Sequence, residues 1–466
     1  MPLWWISFTT EAQRHREHRE NQIQQPTMTE KKFFHSAFIT VTVLFFLWGF
    51  ITVLVDSLIP RLKDVFELSY FQAGLVQFAF FLAYLVISVP AGALLSRIGY
   101  KKGIIVGLVT MAVGCLLFYP AAADRQFWIF LVAYFTLAGG ITVLQVAANP
   151  YVSVLGSEDG ASSRLNLSQA FNSLGTAIAP LIGASFLLSD TIKSSEEISV
   201  LTNTDQSAYY VSEASAVQTP FLFIAAFIGF LALLFVFIKL PKILEKSPVG
   251  GYGKLLKNKI VMLGALGIFL YVGAEVAIGS YLVNYFMSMN ISEIIQQNET
   301  MKYIAEHLLN TDLNTIDSKA IVGAFVVFYW SGAMIGRFVG AYLTRILKPT
   351  KVLSTFAFVA VLMLIISMNT DGLTAMWSIL AVGLFNSIMF PTIFALTIDG
   401  LGDLKPQASG LLCMAIVGGA VIPPMYGFLT DNVGFKIALI LLIACYGYIL
   451  FFGILKGRKL LKNATL

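Results

Sequence analysis

The stretch PAGALLSRIGYKKG, residues 90–103, decides the fold because the chain contains a second copy of it. That copy is FVGAYLTRILKPTK, residues 338–351, in which Arg345 falls on Arg97 at an offset of 248 residues. In each copy an apolar run passes into a basic turn. A repeat at an offset of about half the chain indicates that one structural unit has been duplicated.

Two further pairs of segments repeat at nearly the same offset. Pro150 in LQVAANPYVSVLG aligns with Pro391 in FNSIMFPTIFALT, and Gly175 in GTAIAP aligns with Gly418 in GGAVIP. Ordinary glycine and proline punctuation of apolar sequence is the alternative explanation, but three pairs at offsets of 241–248 favour a true repeat. A parallel repeat of two membrane halves is the layout of a secondary transporter that rocks about a central site.

The composition places the chain in a membrane. Of its 466 residues 57% are apolar and 12% charged, whereas soluble domains average about 45–50% and about 25%. These values exclude a disordered chain, a disulfide-rich secreted scaffold and an ordinary cytosolic enzyme. The net charge of +5 is attributed to basic inside loops rather than to nucleic-acid binding. The three cysteines lie inside apolar runs and the four histidines outside them, so no disulfide, metal centre or haem cofactor is expected.

Twelve apolar runs are long enough to cross a bilayer, which takes about 20 residues each. They lie near residues 37–59, 70–96, 103–122, 127–153, 165–188, 219–240, 260–287, 319–345, 352–369, 373–398, 408–430 and 434–455. The basic stretch PKILEKSPVGGYGKLLKN divides them six and six. The predicted fold class is therefore an all-α membrane protein with twelve transmembrane helices in two six-helix bundles.

The same runs predict the domain limits and the orientation. We expect an N-terminal tail, two bundles separated by a central loop, and a C-terminal tail, at residues 1–35, 36–240, 241–258, 259–455 and 456–466. With both ends inside, the inside loops hold 14 Lys and Arg and the outside loops hold 7. This bias predicts that both termini, and the central loop, are cytoplasmic.

The N-terminus is unlike the rest of the chain. MPLWWISF is too short for the apolar core of a signal peptide, and a polar, charged run follows it. Met28, followed by TEKK, is a more natural start for a membrane protein. Residues 1–27 are interpreted either as a cytoplasmic tail or as an extension beyond the true start.

Several motifs make the chain resemble the major facilitator superfamily and, within it, the fucose–galactose–glucose:cation symporter family. The motifs are FFLWGFITVLVDSLIPRLK (45–63), SYFQAGLVQFAFFLAY (69–84), PAGALLSRIGYKKGI (90–104), LQVAANPYVSVLG (144–156), SRLNLSQAFNSLGT (163–176), YVGAEVAIGSYLVNY (271–285), IGRFVG (335–340) and FNSIMFPTIFALTIDGLG (385–402). The resemblance implies a monomeric importer of a neutral sugar in the inner membrane. It would use a co-transported proton or sodium ion and no other cofactor.

The membrane carboxylates indicate a branch of this family. The fucose branch carries an acid in the first span, matched here by Asp56, and a Glu before AANP, where this chain has Gln145. In the seventh span the fucose branch has Gln and this chain has Glu275. LQVAANPYV and YVGAEV are similar to the glucose/galactose branch, so glucose or galactose is the expected sugar. L-fucose with a proton is the alternative.

Asp56, Glu275 and Arg337 are the ionisable side chains away from the ends of the runs. A charge at the bilayer centre costs about 2.5–3.5 kcal/mol on insertion scales, so such residues face a cavity or a partner. We expect Asp56 and Glu275 to couple cation and sugar; structural pairing is the alternative. Arg337 lies about two helical turns from Arg345 and is expected to snorkel, pair or gate at the cytoplasmic side; sugar binding is the alternative.

A sugar site needs neutral amides and an aromatic platform. The candidates are Trp48, Gln77, Gln145, Asn149, Gln169, Asn172 and Asn386. Gln145 and Asn149 are four residues apart and Gln169 and Asn172 three apart, so each pair shares a helix face and together they predict a polar wall. Pro150 is expected to end the first of these helices with a kink. Hydrogen bonding between helices, and simple packing for the tryptophan, are the alternatives.

The turn SRIGYKKG carries Arg97, Lys101 and Lys102. By resemblance to the family these residues latch the two halves together; the other interpretation is orientation by positive charge alone. A transporter-like sugar sensor, an exporter of the same superfamily and a membrane enzyme are the remaining functional alternatives. The sequence has no GxSxG motif, P-loop or His/Asp metal cluster, so enzymatic chemistry is not expected.

Overall fold

The structure is a computed structural model that describes residues 28–56, 70–123, 126–187, 200–243, 250–313 and 316–464. Residues 1–27, with the question of the true start, lie outside these ranges. Every regular element in the described ranges is helical. The helices of the first half are α1 (Met28–Asp56), α2 (Tyr70–Ile98), α3 (Tyr100–Ala123), α4 (Phe127–Val154), α5 (Ala161–Leu187) and α6 (Asn203–Phe237).

The helices that follow the central loop are α7 (Tyr252–Lys257), α8 (Lys259–Ser288), α9 (Ile291–Gln297), α10 (Glu299–Leu309), α11 (Ser318–Ala324), α12 (Val326–Ile346), α13 (Pro349–Asn369), α14 (Gly372–Asn386), α15 (Met389–Ile398), α16 (Lys405–Met414), α17 (Gly418–Val433) and α18 (Phe435–Ala464). Three predicted spans consist of two helices each. They are α11 with α12, α14 with α15, and α16 with α17.

Eleven helical stretches in the described ranges are long and apolar enough to cross a membrane. They correspond to every predicted span except the fifth, which is formed by α5. Asn166, Ser168 and Gln169 of α5 are all buried, and the helix packs against α1 in its own half and against α12 and α15 in the other. Its polar side chains therefore face protein rather than lipid.

Two aligned glycines make the same close contact in each half. A Cβ atom at Gly175 on α5 would lie 2.2 Å from the carbonyl oxygen of Phe46 on α1. A Cβ atom at Gly418, where α17 begins, would lie 1.9 Å from the carbonyl oxygen of Phe269 on α8. Only glycine permits helices to approach so closely. The first and fifth spans therefore pack as the seventh and eleventh do, as a duplicated bundle requires.

The two halves meet along two seams. One joins α2 to α16 and α17 and α4 to α16, and the other joins α5 to α12 and α15. Across the second seam Ser163 Oγ donates to the carbonyl oxygen of Ala341 at 2.7 Å. An ion pair joins Lys405 Nζ to Glu158 at 3.3 Å. These contacts lie at the end of the molecule where α1 begins and where α2, α4, α15 and α18 end, which we call the terminal end.

Pro150 does not end its helix, contrary to the prediction: α4 continues to Val154. A proline in a helix leaves the carbonyl oxygen four residues earlier without its backbone donor, which here is that of Val146. Ser409 Oγ of α16 donates to this oxygen at 2.8 Å. Because a neighbouring helix satisfies the freed carbonyl, the helix continues through the proline, and the same bond ties the halves together.

Candidate functional site

A cavity of about 150 Å³ lies between the two halves. The first half contributes Trp48, Gln145, Gln169 and Asn172. The second half contributes Tyr271, Val272, Glu275, Arg337, Phe390, Pro391 and Ile416. The structure therefore brings four of the seven predicted sugar-binding residues together with one of the two predicted coupling acids and with the predicted gating arginine.

Two of the cavity amides are held by neighbouring helices. Gln145 Nε2 donates to the hydroxyl of Tyr84 on α2 at 2.6 Å, and Asn172 Nδ2 donates to the carbonyl oxygen of Phe45 on α1 at 2.9 Å. A carboxamide can make up to four hydrogen bonds. These contacts therefore fix each group at the cavity wall and leave it capacity for a ligand hydroxyl.

Asn149 lies behind the cavity wall. It is fully buried, and its Oδ1 accepts a hydrogen bond from Gln169 Nε2 at 3.4 Å. Asn149 therefore supports Gln169, and Gln169 itself lines the cavity.

The other predicted residues lie elsewhere. Gln77 is exposed on α2. Asn386 is fully buried in the second half, where its Nδ2 donates to the hydroxyls of Tyr329 at 2.8 Å and Tyr446 at 3.1 Å. Asp56 is the last residue of α1, and its side chain lies outside the described part of the structure.

Trp48 combines cavity lining with packing. Its ring lies 5.3 Å from that of Phe45 at an interplanar angle of 57°, and only 6% of its surface is exposed. The tryptophan is therefore fixed from one side by the aromatic neighbour while an edge of it borders the cavity.

Glu275 and Arg337 form an ion pair at the cavity. An Oε1–Nη2 distance of 3.7 Å joins them, and their side chains are only 14% and 17% exposed. The hydroxyl of Tyr271 donates to Glu275 Oε1 at 2.7 Å. The carboxylate is thus held by one positive charge and one neutral donor, both from the second half.

Arg337 also links this pair to the first half. Its Nε donates to the carbonyl oxygen of Ser387 at 3.2 Å, which is the oxygen that Pro391, four residues later, leaves without a backbone donor. Its Nη1 donates to Ser173 Oγ on α5. The arginine therefore lies at the level of the cavity and contacts the carboxylate, the interrupted span and the opposite half.

The interrupted spans of the second half place backbone at the same cavity. The break between α14 and α15 precedes Phe390 and Pro391, and the 3-10 turn Ala415–Val417 between α16 and α17 contains Ile416. Discontinuous membrane helices occur in transporters where irregular backbone lines a site. Proline follows the first break in FNSIMFP, and two glycines follow the second in GGAVIP, but the sequence analysis predicts neither break.

Six residues of the site are absent from the sequence prediction: Tyr271, Val272, Phe390, Pro391 and Ile416 line the cavity, and Ser173 contacts Arg337. Tyr271 lies four residues before Glu275, and Ser173 four residues after Gln169, so helical spacing places each on the face of its partner. Phe390 aligns with Asn149 in the repeat. The two helical spacings become informative only once Gln169 and Glu275 are known to line the cavity, and the repeat gives no signal for Phe390, because Asn149 lies behind the cavity wall.

The predicted latch residues lie at the terminal end of the molecule. Lys101 Nζ donates to the carbonyl oxygen of Val236 in the last turn of α6 at 2.8 Å. A cation there interacts favourably with the helix dipole. Arg97 and Lys102 are exposed. The latch role itself stays a prediction.

Comparison with known proteins identifies the family. A profile of the Major Facilitator Superfamily matches residues 37–422. The glucose/galactose transporter of Brucella abortus is 44% identical over 442 residues, which cover 94% of this chain and 98% of that protein. The L-fucose-proton symporter of Escherichia coli K12 is 36% identical over 400 residues, covering 84% and 86% of the two chains.

Solved structures agree with this result. A crystal structure of the E. coli fucose:proton symporter matches with a TM-score of 0.81 at 32% identity, covering 91% of this chain and 99% of that one. A second, in the outward conformation, matches with a TM-score of 0.80 at 33% identity, covering 90% and 98%. The predicted fold class and family are confirmed, and with them the prediction of a secondary transporter rather than an enzyme. The chain belongs to the major facilitator superfamily and, within it, to the family of these glucose/galactose transporters and fucose:proton symporters.

Proposed function

We propose that this protein imports a neutral hexose, glucose or galactose, by symport with a cation. The observation that carries the proposal is the composition of the cavity between the halves. Neutral amides from α4 and α5 face an acid–arginine pair from α8 and α12 across it. The relatives named for glucose and galactose, at 44% identity, support the choice of sugar.

The amide wall is the proposed recognition surface. Gln145, Gln169 and Asn172 supply donors and acceptors for sugar hydroxyls, and Trp48 supplies an apolar surface for the sugar ring. Tyr84 and Asn149 hold two of the amides in place. Because such groups are fixed before the ligand arrives, little conformational entropy is lost on binding.

Glu275 is the proposed coupling acid of the second half, and Asp56 that of the first. A proton or sodium ion at Glu275 would neutralise the carboxylate that now pairs with Arg337. The arginine would then lose its only charged partner among the described contacts and keep its neutral ones, Ser387 and Ser173. Since Ser173 belongs to the opposite half, cation binding would change a contact between the halves.

The terminal end of the molecule is proposed to be cytoplasmic and closed in this structure. The bonds of Ser163 and Glu158 across the halves lie at that end. This arrangement matches a cavity that opens outward, in agreement with the match to a relative in the outward conformation. We further propose the bundle limits 36–240 and 259–455, a monomer, and residence in the inner membrane with both termini inside.

Uptake into proteoliposomes tests the function. Labelled glucose, galactose and L-fucose would be supplied with an imposed pH gradient, a sodium gradient or neither. We expect accumulation of glucose or galactose under one of the two gradients. L-fucose as the accumulated sugar would select the alternative substrate, and no gradient-driven accumulation of any of the three would reject the proposal.

A pair of matched variants tests the site. Gln145→Ala removes a cavity amide and should weaken sugar binding by about 5- to 150-fold, which corresponds to about 1–3 kcal/mol for an unpaired polar partner. Gln77→Ala removes an exposed amide on α2 and should leave binding unchanged. Equal effects of the two substitutions would show that the cavity is not the sugar site.

A further inference from the structure

A closed polar cluster lies inside the second half. Asn386, the last residue of α14, donates through Nδ2 to the hydroxyls of Tyr329 on α12 and Tyr446 on α18, at 2.8 and 3.1 Å. All three side chains are fully buried, and none of them is among the described residues that line the sugar cavity. One amide therefore joins three helices at the point where α14 ends. We call these three residues the Asn386 clamp.

Stability alone does not account for the amide of the clamp. The Oδ1 atom of Asn386 makes no hydrogen bond to the residues that the structure describes. A buried acceptor without a donor is unfavourable, and an apolar side chain of the same branching would avoid this loss. Buried polar atoms of this kind are exceptions in native proteins, and a functional role is one of their explanations.

The clamp adjoins the residue that orients Arg337. Ser387 follows Asn386 directly and lies in the break between α14 and α15. Its carbonyl oxygen accepts from Arg337 Nε at 3.2 Å, and Pro391 removes the backbone donor that this oxygen would otherwise have. Because no backbone N–H of α15 fixes the carbonyl, its direction depends on how the end of α14 is held. The Asn386 side chain holds that end against α12 and α18.

Arg337 lies close to Glu275 without a direct hydrogen bond to it. The Nη2–Oε1 distance is 3.7 Å, whereas charge-assisted hydrogen bonds between such groups measure about 2.7–2.9 Å. The guanidinium instead donates through Nε to Ser387 and through Nη1 to Ser173. These two bonds hold the arginine back, so the carboxylate keeps capacity for a cation.

We propose that Asn386 is a positioning residue for cation coupling: through the Ser387 carbonyl it keeps Arg337 short of a direct bond with the coupling acid. The inference rests on the proposed symport and adds to it a residue that contacts neither the sugar nor the cation. The arginine and the cation compete for the same carboxylate, because each stabilises its negative charge. An arginine released by a loosened clamp would close on the carboxylate, and the cation would then bind less tightly.

The titratable groups around the coupling acid lie on three helices. Arg337 and Tyr271 act on Glu275 directly. The charge of the acid also reaches the hydroxyls of Tyr329 and Tyr446. In the described part of the structure, Tyr271, Glu275 and Arg337 are the only titratable residues that line the cavity, and the first half contributes neutral side chains to it. Substitutions in the clamp leave the acid and the arginine in place.

The cation dependence of transport in proteoliposomes tests the proposal. Asn386→Leu replaces the amide with an apolar group of the same branching, and Tyr446→Phe removes one hydroxyl of the clamp. Accumulation of the sugar that the wild-type protein takes up is measured against pH and against sodium concentration. Sugar affinity is measured separately, by exchange without a gradient. If Asn386→Leu does not fold, Tyr446→Phe decides alone.

The same half of the protein provides a matched control. Tyr285 on α8 is buried, and its hydroxyl donates to the carbonyl oxygen of Ser367 on α13 at 3.0 Å. It lies ten residues from Glu275 along α8, which is about 15 Å. Tyr285→Phe therefore removes a buried hydrogen bond between helices without touching the clamp.

We expect both test variants to need more cation than the wild-type protein. The loss of one hydrogen bond corresponds to about 2- to 13-fold in affinity, or about 0.5–1.5 kcal/mol. The half-saturating sodium concentration should rise by this factor. Where the proton is the coupled cation, the pH of half-maximal accumulation should instead fall by about 0.4–1.1 pH units. Sugar affinity should stay unchanged, and Tyr285→Phe should keep the wild-type cation dependence.

The remaining outcomes overturn the inference. An unchanged or lowered cation requirement in the test variants would show that the clamp does not hold Arg337 back. A loss of sugar affinity at unchanged cation dependence would place Asn386 in sugar binding, and an equal shift in Tyr285→Phe would indicate a general loss of stability. Wild-type protein that accumulates no sugar under either gradient would reject the proposed function itself, and the inference with it.

Discussion

The ion pair between Glu275 and Arg337 allows the sharpest test of the coupling proposal. The paired atoms are 3.7 Å apart, and both side chains are largely buried. Two unit charges at about this distance attract by about 4 kcal/mol at an effective dielectric constant of about 20. Removing one partner of a buried pair costs about 3–5 kcal/mol, because the other charge is left without compensation.

The two single substitutions should differ in severity. Arg337→Met leaves the carboxylate of Glu275 with the Tyr271 hydroxyl as its one remaining partner among the described contacts. Glu275→Gln keeps an oxygen that can accept from Tyr271, and the arginine keeps its bonds to Ser387 and Ser173. We therefore expect Arg337→Met to lower the thermal unfolding midpoint in detergent more than Glu275→Gln does.

The double variant Glu275→Gln/Arg337→Met contains neither charge and should recover stability. The free energy of unfolding lost in the double variant should be smaller than the sum of the losses in the two single variants. The difference should lie at the upper end of about 0.5–3 kcal/mol, the range for residues in contact. Sugar exchange without a gradient should persist in Glu275→Gln, whereas accumulation against a gradient should fail. Additive losses, or full accumulation in Glu275→Gln, would refute the role of the pair.

Three further predictions follow from single contacts. Asn149→Ala should lower both sugar affinity and the unfolding midpoint, because the buried amide supports Gln169; an affinity loss with unchanged stability would instead indicate direct sugar contact. Asp56→Asn should abolish gradient-driven accumulation while retaining sugar exchange in proteoliposomes, and undiminished accumulation would exclude Asp56 from coupling. Gly418→Ala should reduce the yield and melting temperature of purified protein, since its Cβ would lie 1.9 Å from the Phe269 carbonyl oxygen; wild-type values would show that the helices can separate there at little cost.

The spans and the repeat were predictable because their signals are local. A bilayer demands a run of about 20 apolar residues wherever a helix crosses it. Close helix packing demands glycine at fixed positions, as at Gly175 and Gly418. Asn166, Ser168 and Gln169 of α5 are buried against other helices, and this part of its environment depends on packing that composition does not report.

The position of side chains along a helix face was harder to predict. Gln145 and Asn149 share a face of α4 as expected, but four residues separate them by about 6 Å along the axis. Only Gln145 reaches the cavity, and Asn149 lies behind Gln169. Helical periodicity predicts the direction in which a side chain points. Whether that side chain reaches the cavity depends on the position of the opposite half of the protein.

The partners of Arg337 could not be predicted from the sequence, because they depend on tertiary structure. Two turns from a basic loop, an arginine is expected to reach back toward that loop. Here Pro391 frees the carbonyl oxygen of Ser387, and Glu275 supplies a charge, so the side chain has partners at the cavity instead. All of these partners lie outside α12, so the residue spacing within α12 could not predict them.

The repeat conserves positions in the two halves but gives them different chemistry. Gln145 and Asn386 align at an offset of 241, yet Gln145 faces the cavity with one tyrosine partner while Asn386 donates to two tyrosines in a closed interior. The second half instead places the Glu275–Arg337 pair at the cavity. Neutral recognition groups thus come from the first half, and the described charges come from the second. We therefore expect substitutions on α4 and α5 to change which sugar is bound, and substitutions on α8 and α12 to change how a cation drives its transport.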